Sequence, residues 1–339
     1  MTKSAGKFLA SWPGCLGLAL LGSVFAAAQT PSPALLVLEK GERSLAIVDP
    51  GSLKVVGRAA AGDDPHEVVA SEDGRFAYIS NYGAFGDHPG RTLSVVDLIE
   101  QKRLASVELG ALRAPHGLQM AEGNVYFTAE GSKAIGRYDP ATRQIDWVLG
   151  LGQNRTHMLV VAKDGSRIFT SNVNSNSIGI LEPDREGDVS GWNETFVLVG
   201  KGPEGFDVSP DGRELWAANS HDGTVSIIDT EAKKVVATLN VPTKFANRLK
   251  FTPNGKRVLI SDLGTGDLVV LDAAERKEIK RLSLGHGAAG ILIQPDGARA
   301  YVAVSPDNAV AVVDLTTLTA AGRIETGKGP DGMAWAVRK

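Results

Sequence analysis

The chain has 339 residues, of which 43% are hydrophobic and 22% are charged, so it can form a substantial core and does not belong to the disordered class. Its formal net charge of −3 gives no general electrostatic reason for binding nucleic acid or an anionic membrane. A single cysteine, Cys15, excludes an internal disulfide framework, a cysteine-based zinc site and an iron–sulfur cluster.

The first segment has the pattern of a secretory signal peptide. Two lysines precede an apolar stretch at about residues 16–25, which ends in the small residues Ala26-Ala27-Ala28. This stretch is too short to span a bilayer comfortably, so cleavage is favoured over an N-terminal membrane anchor. We therefore expect a signal peptide at 1–28 and a periplasmic or secreted product at 29–339, with no membrane span after cleavage.

Short β-type runs that end in an acidic residue recur along the rest of the chain. They end at Asp49, Asp97, Asp139, Glu182, Asp229, Asp272 and Asp314. These seven copies follow one another at intervals of about 42 to 48 residues, a period typical of repeat architectures. Most units also contain an Asp-Gly or Asn-Gly pair, which supplies the positive φ angles of a tight hairpin.

Each unit reads as four strands, labelled A to D, as in residues 203–239. A four-stranded sheet cannot stand alone, and radial stacking of such sheets is the signature of a β-propeller. The first unit lacks strand A, and residues 332–337 form one unpaired strand A at the end of the chain. We therefore predict an all-β, seven-bladed β-propeller of four-stranded antiparallel blades, closed by the C-terminal strand completing the first blade. A solenoid would leave both ends uncapped.

Three segments at strand B carry a family resemblance. YISN at 78–81, FTSN at 169–172 and WAAN at 216–219 resemble the signature of the YVTN-type (YncE-like) propeller family. The resemblance implies the seven-bladed fold over essentially the whole mature chain. It implies no single activity, because the superfamily includes lactonases, streptogramin lyases, the propeller of nitrous oxide reductase, and non-enzymatic surface or DNA-binding members.

The start of strand A lies at the mouth of the central channel in this architecture. Aligning the units on the turn residue, on the Pro115-His116-Gly117 step of the third unit and on the C-terminal strand predicts a ring there of His66, His116, His157, Glu204, Asn247, Ala289 and Asp331. Three histidines on consecutive blades can approach one ion closely. We predict that His66, His116 and His157 bind a divalent transition metal, namely zinc, copper, iron or manganese. Glu204 or Asp331 would be a further ligand or the general base.

The ends of strand B predict a second ring on the same face, which is rich in oxygen atoms. From it we expect Asn81, Asn172, Asn219 and Asp262 to orient substrate, together with Arg248 of strand A. In this ring Ala129 takes the position on the third blade, and Glu130 lies one residue beyond it.

The streptogramin lyases offer a more specific comparison. This chain is similar to them in Pro115-His116-Gly117 and in the aromatic step at 126–128. In that family, axial histidines and a glutamate after the aromatic step hold a divalent metal and open a lactone ring. The resemblance extends to His66 and His116, but Ala129 occupies the position of the glutamate, which separates this chain from the lyase reaction itself.

Two functions remain open from the sequence. The first is an exported, metal-dependent hydrolase or lyase that acts on small lactones or esters. The alternative is a non-catalytic, YncE-like binding protein that engages a protein, a polymer or nucleic acid, although the net charge argues against nucleic acid. A propeller closes its own sheet edges, so a monomer is expected in either case.

Overall fold

The computed structural model describes residues 1–3, 29–84, 88–184 and 191–339. The predicted signal peptide therefore lies outside the described residues, apart from its first three positions. Within the described ranges, no helix is long and apolar enough to cross a membrane.

The described chain folds into 28 strands and four short 3-10 helices. The first strands are β1 (Ala34–Glu39), β2 (Ser44–Asp49), β3 (Lys54–Ala60), β4 (Pro65–Ala70), β5 (Phe76–Ala84), β6 (His88–Asp97), β7 (Lys102–Glu108), β8 (Pro115–Ala121), β9 (Asn124–Ala129), β10 (Ala134–Asp139), β11 (Gln144–Gly150), β12 (Thr156–Val161), β13 (Ile168–Asn172) and β14 (Ser177–Asp184). The remaining strands are β15 (Gly191–Leu198), β16 (Pro203–Val208), β17 (Glu214–Asn219), β18 (Thr224–Asp229), β19 (Lys234–Asn240), β20 (Ala246–Phe251), β21 (Arg257–Asp262), β22 (Asp267–Asp272), β23 (Lys277–Ser283), β24 (Ala288–Ile293), β25 (Arg299–Val304), β26 (Ala309–Asp314), β27 (Thr319–Glu325) and β28 (Pro330–Ala336). The 3-10 helices are Lys40–Glu42, Glu130–Ser132, Val173–Ser175 and Ser305–Asp307.

The strands of the described chain pair into seven four-stranded antiparallel sheets, here called blades. From the centre outwards, blade 1 is β28-β1-β2-β3, and blades 2 to 7 are the successive groups of four from β4–β7 to β24–β27. The innermost strands contact one another in turn, from β28 through β4, β8, β12, β16, β20 and β24 back to β28. The molecule is therefore a seven-bladed β-propeller, as the repeat predicted.

Blade 1 joins the two ends of the chain. Strand β28 pairs with β1, with Ala336 opposite Ala34 and Ala334 opposite Leu36. The buried Glu39 at the end of β1 also accepts a hydrogen bond of 2.7 Å from the backbone N–H of Gly327. The prediction that the C-terminal strand completes the first blade is thus confirmed.

The hairpin between the two inner strands of blade 5 shows why the Asp-Gly pairs recur. Gly212 adopts a φ of +75°, which residues with a side chain disfavour. The carboxylate of Asp211 accepts hydrogen bonds from the backbone N–H of Arg213 at 3.1 Å and from the hydroxyl of Ser209 at 2.6 Å. Gly212 therefore supplies the backbone conformation of the turn, and Asp211 supplies its hydrogen bonds.

The core lies between the blades. Side chains alternate along each inner strand, so that Leu36 of β1 packs toward blade 2 while Leu35 packs toward blade 7. Seven buried apolar clusters result among the described residues, one at each contact between neighbouring blades. At one of them, Trp216 of blade 5 packs edge-on against Phe251 of blade 6, with ring centroids 5.6 Å apart. This two-sided burial fixes the inner strands and hence the residues at the channel mouth.

Candidate functional site

One cavity of about 450 Å³ opens at the axis of the propeller. Its lining includes the second residue of every innermost strand, namely His66, His116, His157, Glu204, Asn247, Ala289 and Asp331. The structure thus brings together all seven residues that the sequence register placed at the channel mouth. Lys40, Arg155, Phe245, Arg248, Leu263, Ser305 and Gly329 complete the lining.

A local irregularity of the inner strands accompanies this ring. The pairing register shifts just after the ring residue, between Pro115 and Leu118 in β8 and between Thr156 and Leu159 in β12. The residue after His116 is Gly117, and a Cβ atom there would lie 2.8 Å from the carbonyl oxygen of His157. Glycine therefore allows the two strands to approach closely, which sets the imidazole of His116 beside that of His157, with ring centroids 3.9 Å apart.

His157 is held between two carboxylates. Its Nδ1 contacts Oε1 of Glu130, and its Nε2 lies 3.1 Å from Oε1 of Glu204. Burial disfavours a charge on the ring, but the carboxylates of Glu204 and Glu130 outweigh it and raise the pKa of His157 to about 9. At pH 7 the ring is therefore cationic unless a metal ion replaces its proton.

The positive charge of His157 lowers the pKa of both Glu130 and Glu204. Burial would raise the pKa of Glu204, but the positive charges of His157, Arg155 and Arg248 lower it to about 2. The pKa of Glu130 is also lowered, because the effect of burial is outweighed by His157, by a 2.5 Å hydrogen bond from the Tyr82 hydroxyl and by Arg155. Both groups are ionised at neutral pH. Oε2 of Glu204 has no hydrogen-bond partner within the described structure.

His116 stays neutral. Its side chain is 2% exposed, and burial together with the charges of His157 and His66 lowers its pKa well below the usual value. Its Nδ1 is buried and finds no hydrogen-bond partner among the described residues. A neutral imidazole with an unshared nitrogen lone pair is the form of histidine that binds a metal ion.

The tightest group of candidate ligands in the described chain is His116, Glu130 and His157. One ligand atom from each of these buried residues lies within 4.8 Å of the other two. Glu130 was not among the predicted metal ligands, because it follows the last residue of β9. The 3-10 helix Glu130–Ser132 begins there and carries its carboxylate to His157. Its place one residue after the strand-B position was the only sequence signal.

His66, the third predicted metal ligand, belongs to a separate charged cluster at the same mouth. Its Nε2 lies 2.8 Å from Nζ of Lys40 and 3.1 Å from a carboxylate oxygen of Asp64, and its Nδ1 lies 3.7 Å from Asp331. Lys40 in turn lies 3.3 Å from Asp331. The structure therefore places Asp331 in an ion pair, while His66 stacks on His116 with ring centroids 4.7 Å apart.

Arg248 does not face the cavity as a free cation. Its guanidinium forms an ion pair with Glu67, which occupies the position after His66 in β4. Blades 6 and 2 stand three places apart around the ring, so this pair crosses the channel. Arg248 lines the cavity, so its predicted substrate-orienting role stays a prediction, and in this structure its guanidinium is paired with Glu67.

The predicted second ring is sealed inside the blades. The amide nitrogen of Asn81 donates to Thr92 and Ser94, that of Asn219 donates to Thr224 and Ser226, and Asn172 pairs with Thr156 and Ser177. Asp262 accepts hydrogen bonds from the backbone N–H groups of Lys244, Phe245 and Gly264. All four side chains are buried and none lines the cavity, so in this structure they brace strands and loops instead of orienting a substrate.

Solved structures share this fold. A periplasmic gluconolactonase of Pseudomonas aeruginosa superposes with a TM-score of 0.74 at 17% identity, covering 91% of this chain and 100% of its own. A functionally unknown protein of Desulfotomaculum acetoxidans gives 0.75 at 11% identity, with 91% and 100% covered. The dihydro-heme d1 dehydrogenase NirN gives 0.62 at 16% identity, with 88% and 74% covered. At these identities the likeness shows the fold alone.

In comparisons of amino-acid sequence, no curated protein matches the chain. The Cytochrome D1 heme domain family matches residues 126–298, which is just over half of the chain and runs from the aromatic step of blade 3 into blade 7. The YVTN-type resemblance stays a prediction. The chain belongs to the Cytochrome D1 heme domain family of β-propellers.

Proposed function

We propose that this protein is a metal-dependent hydrolase that opens small lactones in the axial cavity. The observation that carries the proposal is the buried cluster of His116, Glu130 and His157, in which Nδ1 of His116 lacks a hydrogen-bond partner among the described residues. A buried polar atom without a partner is costly, and a bound cation would satisfy it. The similarity in fold to a gluconolactonase supports lactones as the first substrates to test.

The ligand types favour a transition metal. Two imidazole nitrogens and one carboxylate oxygen suit zinc, manganese, iron or copper, whereas calcium prefers oxygen ligands throughout. When bound, such an ion polarises a carbonyl group and lowers the pKa of water. His157 must lose its proton to become a ligand, so this site exchanges a proton for the cation.

Glu204 is the residue we assign as general base. It lies beside His157 and lines the cavity, and its Oε2 is free of hydrogen bonds from the described residues. The charge on His157 is the foremost influence that lowers the pKa of Glu204, so this carboxylate is ionised at neutral pH. Glu204 can then accept the proton of the attacking water. Arg155, 3.2 Å from Glu204, holds the carboxylate in place.

A heme, which the family name implies, does not fit these donors. Heme iron would be held by a His, Cys, Met or Tyr side chain, and the described residues that line the cavity offer only histidines of these types. Both ring nitrogens of His66 contact charged neighbours, and His116 and His157 are each only 2% exposed and stack on each other. Ten of the fourteen residues that line the cavity have charged or polar side chains, which leaves Phe245, Leu263 and Ala289 as the apolar side chains to cover a macrocycle. We therefore assign no heme chemistry to this site.

Export to the periplasm or medium is part of the proposal. It rests on the signal-like pattern of residues 1–28, and a gluconolactonase of the same fold is described as periplasmic. We expect a monomer with a small-molecule ligand.

The test begins with the protein purified without a histidine tag. Elemental mass spectrometry should find about one transition-metal ion per chain, and a panel of γ- and δ-lactones should be hydrolysed in a chelator-sensitive manner. His116→Gln should lose both the ion and the activity. His286→Gln is the matched control, because that imidazole is 86% exposed and pairs with Asp307 outside the cavity lining. If wild type takes up no metal from zinc, copper, iron or manganese salts, the binding-protein alternative replaces this proposal.

A further inference from the structure

Carboxylates outnumber side chains of fixed positive charge at the axial cavity when each lining residue is counted with its ion-pair partners. Five carboxylates line it or pair with a cationic or histidine side chain of its lining, namely Asp64, Glu67, Glu130, Glu204 and Asp331. Three side chains of fixed positive charge line it, namely Lys40, Arg155 and Arg248. With neutral histidines, the described residues leave two negative charges, which a single divalent ion would balance.

Each of these cations is already paired. Lys40 lies 3.3 Å from Asp331 and 3.6 Å from Asp64. Arg155 lies 3.2 Å from Glu204 and 3.7 Å from Glu130. The guanidinium of Arg248 is bound to Glu67. Every cation in the lining thus has a carboxylate as its neighbour.

Exposed lysines at the same end of the propeller do not alter this balance. Lys201 and Lys328 are exposed and do not line the cavity, so they act on a ligand through water and mobile salt. Inside the cavity, a phosphate or carboxylate would have to displace a carboxylate from its partner. Interactions of that kind are strong at short distance and low dielectric.

From this pairing we infer that the lactone taken by the cavity is uncharged, and that the site rejects substrates that carry a phosphate or carboxylate. The inference rests on the proposed function and adds its substrate class. The inference also predicts that the cavity binds the product more weakly than the substrate. Water adds to the carbonyl carbon, the acyl carbon–ring oxygen bond breaks, and the ring oxygen takes a proton. The product acid then releases a proton at pH 7, so a neutral substrate becomes an anion that finds no unpaired cationic side chain among the described residues of the lining.

The metal-loaded full chain should be assayed on three lactones. These are D-glucono-1,5-lactone, its 6-phosphate, and its 6-O-isopropyl ether, which adds bulk without charge. We expect kcat/KM for the 6-phosphate to be at least about tenfold below that for the ether, as expected for a dianion placed beside fixed carboxylates. Gluconate should inhibit weakly. Equal or faster hydrolysis of the 6-phosphate would overturn the inference while leaving the hydrolase assignment intact. Hydrolysis of none of the three would count against both.

One substitution tests whether the pairing of Lys40 with carboxylates causes the discrimination against the 6-phosphate. Asp64→Asn removes a carboxylate from Lys40, so discrimination against the 6-phosphate should fall about threefold or more. Asp63→Asn is the matched control, because Asp63 is the adjacent residue with the same charge, is 60% exposed and pairs with the exposed Arg43. An equal change in both variants would show that overall charge, and not the pairing inside the cavity, sets the preference, and would overturn the inference.

Discussion

Arg248 and Glu67 form an ion pair across the axis of the propeller, between strands that stand three blades apart. The side chain of Arg248 is 6% exposed and that of Glu67 is 13% exposed. Burial disfavours the charge on Arg248, yet the pKa of its guanidinium is raised by the charges of Glu67 and Asp331. The pair therefore joins two blades that are not neighbours in the ring.

Removing one partner of this pair should destabilise the fold. Arg248→Met leaves the carboxylate of Glu67 largely buried and unpaired, and we expect a loss of about 3 kcal/mol in the free energy of unfolding. The double variant Arg248→Met/Glu67→Leu leaves no unpaired charge and should recover most of that loss. Urea unfolding at pH 7 measures both. A double variant as unstable as the single one would show that the charges are not what couples the blades.

Tyr82 should act as a positioning residue for the proposed metal site. Its hydroxyl donates to Glu130, which contacts His157, so Tyr82→Phe releases a carboxylate that orients a candidate ligand. We expect metal affinity to fall by about tenfold or more with little change in stability, as is usual for outer partners of metal ligands. Competition with a chelating dye measures the affinity.

Tyr301→Phe is the control for that variant, because Tyr301 is also a buried tyrosine and its hydroxyl bonds to Gln294 in blade 7. Its metal affinity should equal that of wild type. An unchanged affinity in Tyr82→Phe would exclude Glu130 as a group that orients or binds the ion.

Metal uptake should release a proton at neutral pH. The pKa of His157 is about 9, so below that value its proton must leave before a cation binds, and the apparent affinity should rise by up to about tenfold per pH unit between pH 6 and 8. His116 is already neutral and contributes no proton. Calorimetry in two buffers of different ionisation enthalpy should report about one proton released per ion. No proton release would show that His157 is not a ligand.

Glu39 should make the closure of the ring sensitive to acid. Burial alone would raise its pKa, but hydrogen bonds from Arg58, Ser44 and the backbone N–H of Gly327 lower it below 4.5. A carboxylate with a depressed pKa contributes stability above its unfolded pKa and loses it as pH falls through the folded value. Glu39→Gln should therefore cost about 1–3 kcal/mol at pH 7, and less below about pH 4.

Chemical denaturation across pH 3–7 measures that difference. Glu325→Gln is the control, since Glu325 is 79% exposed in the outermost strand of blade 7. A constant difference between Glu39→Gln and wild type at all pH values would mean that ionisation of Glu39 does not stabilise the closure.

The amino-acid sequence predicts both the blades and the ring of residues at the channel mouth, because both follow from the repeat of about 42 to 48 residues. The turn residue fixes the register of most units, so the positions of His157 and Glu204 at the channel could be counted. Glu130 departs from this period, because a 3-10 helix begins after β9. The ion pair of Arg248 and Glu67 depends on ring closure, which no local pattern records. Asn81 was misplaced because the end of a strand does not reveal whether a polar side chain faces the channel or its own blade.

The pairing of β28 with β1 also has a consequence for biosynthesis. The blade that holds residue 34 needs residues 330–336, so the ring cannot close until translation has reached the last strand. Blades 2 to 7 can form in order as the ribosome delivers them, but a nascent chain lacks the final partner of its first hairpin. A chain that lacks β28 would have an open edge on blade 1, a surface that templates aggregation.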